Sequence, residues 1–134
     1  MVYLVRAAAL TNYAEIARES GLDPAALLRR HGMSLKLIAD PERRIPTLPV
    51  MALLEESAQL AGCPTFGLRM AESRQLADMG GISLLLTHQR TLGDVLQTLL
   101  DYVHLIVPSV AMALEREVGV AVLRMKLVSG AGVY

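Results

Sequence analysis

Residues able to do chemistry are few in this sequence, and they stand apart. His31, His88 and His104 are separated by long stretches of chain, and none has a partner at metal-ligand spacing such as HExxH. Glu55 and Glu56 are adjacent, but neighbouring carboxylates on a helix point in different directions, which suits two solvated side chains. Cys63 is the single cysteine, so neither an intrachain disulfide nor a cysteine-cluster zinc site can form. With Pro64 after it and no base beside it in sequence, it reads as buried filler. Nothing supplies an activated nucleophile, a metal or a cofactor site, so the chain reads as something other than an enzyme.

The remaining polar groups of interest flank apolar stripes. Tyr102 and His104 sit beside the apolar face of a long helix, and Arg124 interrupts an apolar strand. Together with Met112, Leu123 and Met125, they would suit a mainly apolar pocket between that helix and a hairpin. The three apolar residues would form its walls, and Tyr102, His104 or Arg124 its polar handles. The seven methionines fit an adaptable pocket, although methionine more commonly fills a core.

The long helix is the element that must position these groups. From Thr91 onward, Leu92, Val95, Leu96, Leu99, Leu100, Val103 and Ile106 repeat at the spacing of one buried face. Thr91 suits the N-cap, Asp94 suits the positive end of the helix dipole, and Pro108 cannot continue the helix. Before it, GGISLLL suggests a short helix buried on most sides. After Pro108 the period falls to two. Val110, Met112 and Leu114 alternate with small or charged residues, Arg116 to Gly119 turn the chain, and Leu123, Met125 and Leu127 alternate with Arg124 and Lys126. That pattern predicts a β-hairpin with one wet face.

The N-terminal part reads as helices. Asn12 and Glu15 suit a capping box for a helix over residues 12 to 20, closed by Gly21. Asp23-Pro24 opens a second helix that ends at Arg29, Arg30 and His31 before Gly32. Ser34 to Ala39 predicts a short helical turn, and ERRIPTLP predicts a loop. From Thr47 or Leu48 a further helix carries Val50, Leu53, Leu54, Ser57, Ala58 and Ala61 on one stripe and ends at Gly62. The fold class is therefore α+β: an N-terminal helical layer, then an antiparallel β-hairpin or small sheet packed on the long amphipathic helix.

Thirteen basic residues balance thirteen acidic ones, so no global field draws nucleic acid or an anionic membrane. Aromatics are scarce and tryptophan is absent, which disfavours a base-stacking surface. No apolar run approaches a membrane span, and the N-terminal MVYLVRAAAL lacks a basic leader and carries Arg6. Residues 12–31 do match a helix-turn-helix in their turn chemistry, which makes a small DNA-binding protein the alternative. The supposed recognition helix, PAALLRR, offers proline and alanines where base-reading polar side chains belong.

The order and spacing of several short motifs carry a resemblance. VRAAALTNYAEIARESGLDPAALLRRHGMS, LIADPERRIP, FGLRMAES, the glycines before ISLLLTHQRTLGDVLQTLLDYVHL and a closing hairpin resemble the N-terminal effector-binding domain of AraC-type transcription regulators. The likeness is to the arabinose-binding-like subgroup that includes ornithine-utilisation and virulence regulators, and it covers nearly the whole chain. It implies a cytoplasmic bacterial module that binds a small effector or forms a homodimer, with DNA bound by a separate domain. On this reading residues 1–134 form one regulatory domain that ends short of the usual sensor domain and lacks the DNA-binding half. It has no cofactor, no DNA contact of its own and no membrane partner. A dimerisation module that senses nothing is a further alternative.

Overall fold

The computed structural model describes residues 3–75, 80–106, 108, 110–129 and 132–133, so the C-terminal SGAGVY lies partly outside the described residues. The chain is α+β, as its two periodicities predict. Its first strand, β1 (Leu4–Arg6), pairs antiparallel with β2 (Arg44–Pro46), Arg6 standing opposite Arg44. ERRIPTLP is thus not simply a loop. The pairing partner lies some forty residues away in sequence and the strands are only three residues long, too short for an alternating pattern to register. Pro46, which cannot donate, sits at the end of the ladder, and the next amide, that of Thr47, donates to the Tyr3 carbonyl at 2.9 Å.

A 3-10 turn over Ala7–Leu10 leads into α1 (Tyr13–Glu19). The expected capping box is absent there. Asn12 is in the left-handed conformation at φ 66°, and its amide donates instead to the Ser73 hydroxyl at 2.6 Å, across to another helix. The close of α1 is as predicted: the amides of Gly21 and Leu22 donate to the carbonyls of Arg18 and Ala17, with Gly21 at φ 80°. The next helix, α2 (Pro24–Arg30), is capped by Asp23, which accepts from the Ala26 amide at 3.2 Å. Ser34 caps α3 (Leu35–Ile38) in the same way, at 3.1 Å from the Leu37 amide.

The core is built on α4 (Thr47–Ala61) and α5 (Phe66–Glu72). Val50, Leu53 and Ser57 of the α4 stripe are buried, and they meet Tyr13, Leu28, Ile45, Phe66 and Met70 in one dry cluster. Tyr13 and Phe66 pack as a tilted ring pair with centroids 6.0 Å apart. Ser57 has a polar reason to occupy an apolar stripe: its hydroxyl lies 2.8 Å from the Tyr13 hydroxyl, so two buried polar atoms satisfy each other. Burial pushes the Tyr13 phenol above its ordinary value. The Glu56 charge adds to the shift, while the Ser57 hydrogen bond works against it.

The C-terminal half is assembled differently. The short helix α6 (Ile82–Leu86) buries Leu86 but leaves Leu84 and Leu85 exposed, so it is not enclosed on most sides as expected. The long helix α7 (Leu92–Ile106) starts at Thr91, whose hydroxyl accepts from the Asp94 amide at 3.1 Å. Its apolar stripe is only half-buried, and Leu92 and Leu105 are largely exposed. Strands β3 (Val110–Glu117) and β4 (Val120–Ser129) form the predicted hairpin, turning at Val118-Gly119 with Gly119 at φ 78°. A further short strand, β5 (Gly132–Val133), adds to the far end of β4. It is β3 that packs most against α7, while Val120, Val122, Leu123, Met125 and Leu127 of β4, the middle strand of the sheet, stay exposed.

Candidate functional site

Two hollows flank α7. The first is an open cleft of about 360 Å³ where the β1–β2 ladder meets α6 and α7. Ile82, Leu85, Tyr102 and Leu105 supply its apolar lining, and Arg6, Glu42 and Arg44 its charged side. The ladder explains the charge: residues directly opposite in an antiparallel pair project from the same face, so Arg6 and Arg44 emerge together. Like charges placed so oppose each other, and Glu42 offsets this by taking Arg6 bidentately through Nε, at 3.2 Å, and Nη2. Gly80 is at φ 78°, and a Cβ there would sit 2.9 Å from Arg6 Nη2, so a bare Cα is what lets this loop close over the guanidinium.

Arg44 reaches across the cleft. Its Nη2 donates to the Leu105 carbonyl at 3.2 Å, in the last turn of α7, where carbonyls lack intrahelical N–H donors and a cation suits the helix dipole. The N-terminal layer is thereby tied to the end of α7. The second hollow, about 420 Å³, runs between the start of α7 and the hairpin turn, along Leu92, Leu96, Leu114, Arg116 and Val120.

The six residues singled out from sequence are spread over these surfaces. Tyr102 lines the cleft. His104 lies two residues further along α7 and is exposed. Met112 stands opposite Met125 and Leu114 opposite Leu123, so Met112, Leu123 and Met125 share one face of the hairpin with Leu114. Met112 is half-buried there, whereas Met125 is 61% exposed. Arg124 falls on the opposite face, where Nε donates to Glu115 Oε1 at 2.9 Å. Arg6, Glu42 and Arg44 were not legible as site residues, because only the pairing of two short distant strands brings them to α7.

Other chemistry-bearing side chains have structural partners. His31 and Arg30, at the end of α2, meet the Glu56 carboxylate on α4 at 2.5 and 2.6 Å. Cys63 is not buried filler but half-buried. Its thiol is held below its ordinary range, first by the Thr65 hydroxyl 3.6 Å away and then by Arg69. Among the described residues, no cluster of three or more His, Cys, Asp or Glu could hold a metal ion, and no helix is long and apolar enough to cross a membrane.

The sequence family described as the N-terminal arabinose-binding domain of AraC transcription regulators matches residues 21–132. The chain belongs to this family. It is a family of transcription-regulator domains, and not a known enzyme family. The HTH-type transcriptional regulator VirS of Mycobacterium tuberculosis, in strains CDC 1551 / Oshkosh and ATCC 25618 / H37Rv, is 28% identical to this chain over 109 residues. The match covers 81% of this chain and 32% of VirS, so the chain spans about a third of the length of these relatives. The matched family region runs from the α1–α2 turn to β5 and so contains the second hollow and, apart from Arg6, the lining of the first.

Proposed function

We propose that this domain senses a small-molecule effector and pairs with a second copy, as the regulatory part of a cytoplasmic bacterial AraC-type transcription regulator. The carrying observation is the family match over a region in which a half-exposed apolar helix, α7, is flanked by open hollows. The cleft at Tyr102 is the favoured effector site, since charged groups converge there beside an apolar lining. The hairpin side of α7 is the second reading, supported by its groove and the adjoining face of Met112, Leu123 and Met125, with His104 as polar handle and without Arg124, which the register puts on the opposite face. A thermal-shift screen of metabolites tests sensing: a hit at a hundredfold excess over its Kd adds about 2.7 kcal/mol. Loss of the shift on Tyr102→Ala supports the cleft, and loss on Met112→Ala with Met125→Ala supports the hairpin side. A screen without hits leaves dimerisation as the domain's role.

Self-association is expected through the exposed hairpin. Val120, Val122, Leu123, Met125 and Leu127 all keep more than a third of their surface in water. A genuine dimer interface there should bury at least about 1,000 Å² in total. Light scattering that finds only monomer at high concentration overturns this part. No sequence-specific DNA binding is expected of the chain. α2 buries Pro24, Leu27 and Leu28, and Arg30 is engaged by Glu56. Fluorescence anisotropy showing a sequence preference that Arg29→Ala and Arg30→Ala abolish would instead favour the helix-turn-helix alternative.

A further inference from the structure

The hairpin edge carries a more specific reading, which rests on the pairing with a second copy proposed above. In the sheet order β3-β4-β5, β5 reaches β4 only at Val128 and Ser129. Among the described residues, the outer edge of β4 from 120 to 127 thus faces no strand, and its outward amides and carbonyls lack ladder partners. The outer edge of β3 is open too, but α7 stands over that strand, on the face that carries Leu114. A two-fold axis normal to the sheet keeps both copies' helices on one side. Pairing through β3 would set them over adjacent strands about 5 Å apart, whereas packed helices need about 8–10 Å. Pairing through β4 leaves both copies of β4 between them.

The side chains of β4 then select the register. Residues directly opposite in an antiparallel pair share a face, and like charges so placed repel. With the axis at Arg124, that residue meets the partner's Arg124; with the axis at Met125, it meets the partner's Lys126. Shifting the axis to Val122 leaves Met125 and Lys126 beyond the ladder, beside the partner's turn. An axis at Leu123 uses residues 120–126 whole. Leu123 then meets the partner's Leu123, Ala121 the partner's Met125, and Arg124 and Lys126 fall opposite the partner's Val122 and the partner's Val120. We infer that two copies join edge to edge along β4, antiparallel, with Leu123 on the two-fold axis, in one sheet ordered β3-β4-β4-β3. Leu123 and Met125, 38% and 61% exposed in the single chain, pack across the seam.

Engineered cysteines test this on the whole chain carrying Cys63→Ser, under mild oxidation read on non-reducing gels, beside light scattering. Directly opposed Cα atoms stand about 4.5–5.5 Å apart, within disulfide reach. Leu123→Cys should therefore link into covalent dimers several-fold faster than Met125→Cys, although Met125 is the more exposed of the two. Val122→Cys and Arg124→Cys should each link slowly alone and rapidly when mixed. Leu123→Lys, which sets two ammoniums on the axis, should weaken the dimer several-fold more than Met125→Lys, and the difference should shrink in high salt. In a chain that scatters as a dimer, faster linking of Met125→Cys, a greater loss with Met125→Lys, or no linking of the mixed pair would overturn the edge register. The pairing role would then stand through the apolar face instead. A native chain that scatters only as a monomer would overturn the pairing role, and the register with it.

Discussion

The two halves of the molecule solve the same packing problem to different degrees. In the N-terminal layer, Tyr13, Leu28, Leu53 and Phe66 have no measurable exposure, and the polar atoms among them are matched. In the C-terminal half, α7 carries the cleaner amphipathic stripe of the two long helices, yet its residues are half-buried and Leu105 keeps 59% of its surface in water. A periodic stripe states that a face wants cover; it does not supply the cover. The helices α1, α2 and α5 and the strand β2 converge on α4, whereas α7 meets mainly the short helix α6 and the strand β3 and borders a shallow cleft. The rigid half is a platform, and the half with unspent apolar surface is where a ligand or a second copy has something to gain.

The contrast is most exposed to large-to-small substitution. Phe66→Ala should cost about 3–5 kcal/mol in urea unfolding, whereas Leu105→Ala should stay within about 0.5 kcal/mol. Comparable losses would mean that α7 is covered in solution by something such as a second copy. A concentration-dependent melting temperature would then identify the copy.

Next in size is the buried hydroxyl pair. Tyr13→Phe strands the Ser57 hydroxyl and should cost about 1–3 kcal/mol, and adding Ser57→Ala should return part of it. The same residue sets an alkaline limit. The folded-state pKa is raised above the ordinary 10.0, so the folded form holds its proton where the unfolded form loses it. Stability is accordingly full below pH 10 and falls as pH rises from there toward the folded value. Unfolding curves measured from pH 9 to 11 should slope downward in the native chain and flatten in Tyr13→Phe.

The helix caps sharpen the comparison further. Asp23→Ala should lower global stability by about 1 kcal/mol, because α2 is locked into the core. Thr91→Ala removes a similar bond, yet its effect should fall on local exchange of amides 92–95 more than on the melting temperature. If both caps lower the melting temperature equally, the two halves unfold as one unit. The smallest effect belongs to the Arg124–Glu115 pair on the wet face of the hairpin. There Arg124→Ala should change stability by about 0–1 kcal/mol, and less in high salt.

Whatever depends on local periodicity and on residues with restricted backbones was legible along the chain. The hairpin register follows from alternation with Gly119 at the turn, α7 from its stripe between Thr91 and Pro108, and the ends of α1 and α2 from Gly21 and Gly32. Even Ser57, odd in an apolar stripe, kept its place there. The short pieces were beyond it. Asn12 looks like a cap until Ser73 competes for its amide. The β1–β2 ladder rests on three residues from each of two distant segments, a signal too brief for any pattern. That ladder is also what sets Arg6 and Arg44 against Tyr102 and the Leu105 carbonyl. It becomes visible once the chain is folded, because a long-range pairing is fixed by the free energy of the assembled core and leaves no trace in either strand alone.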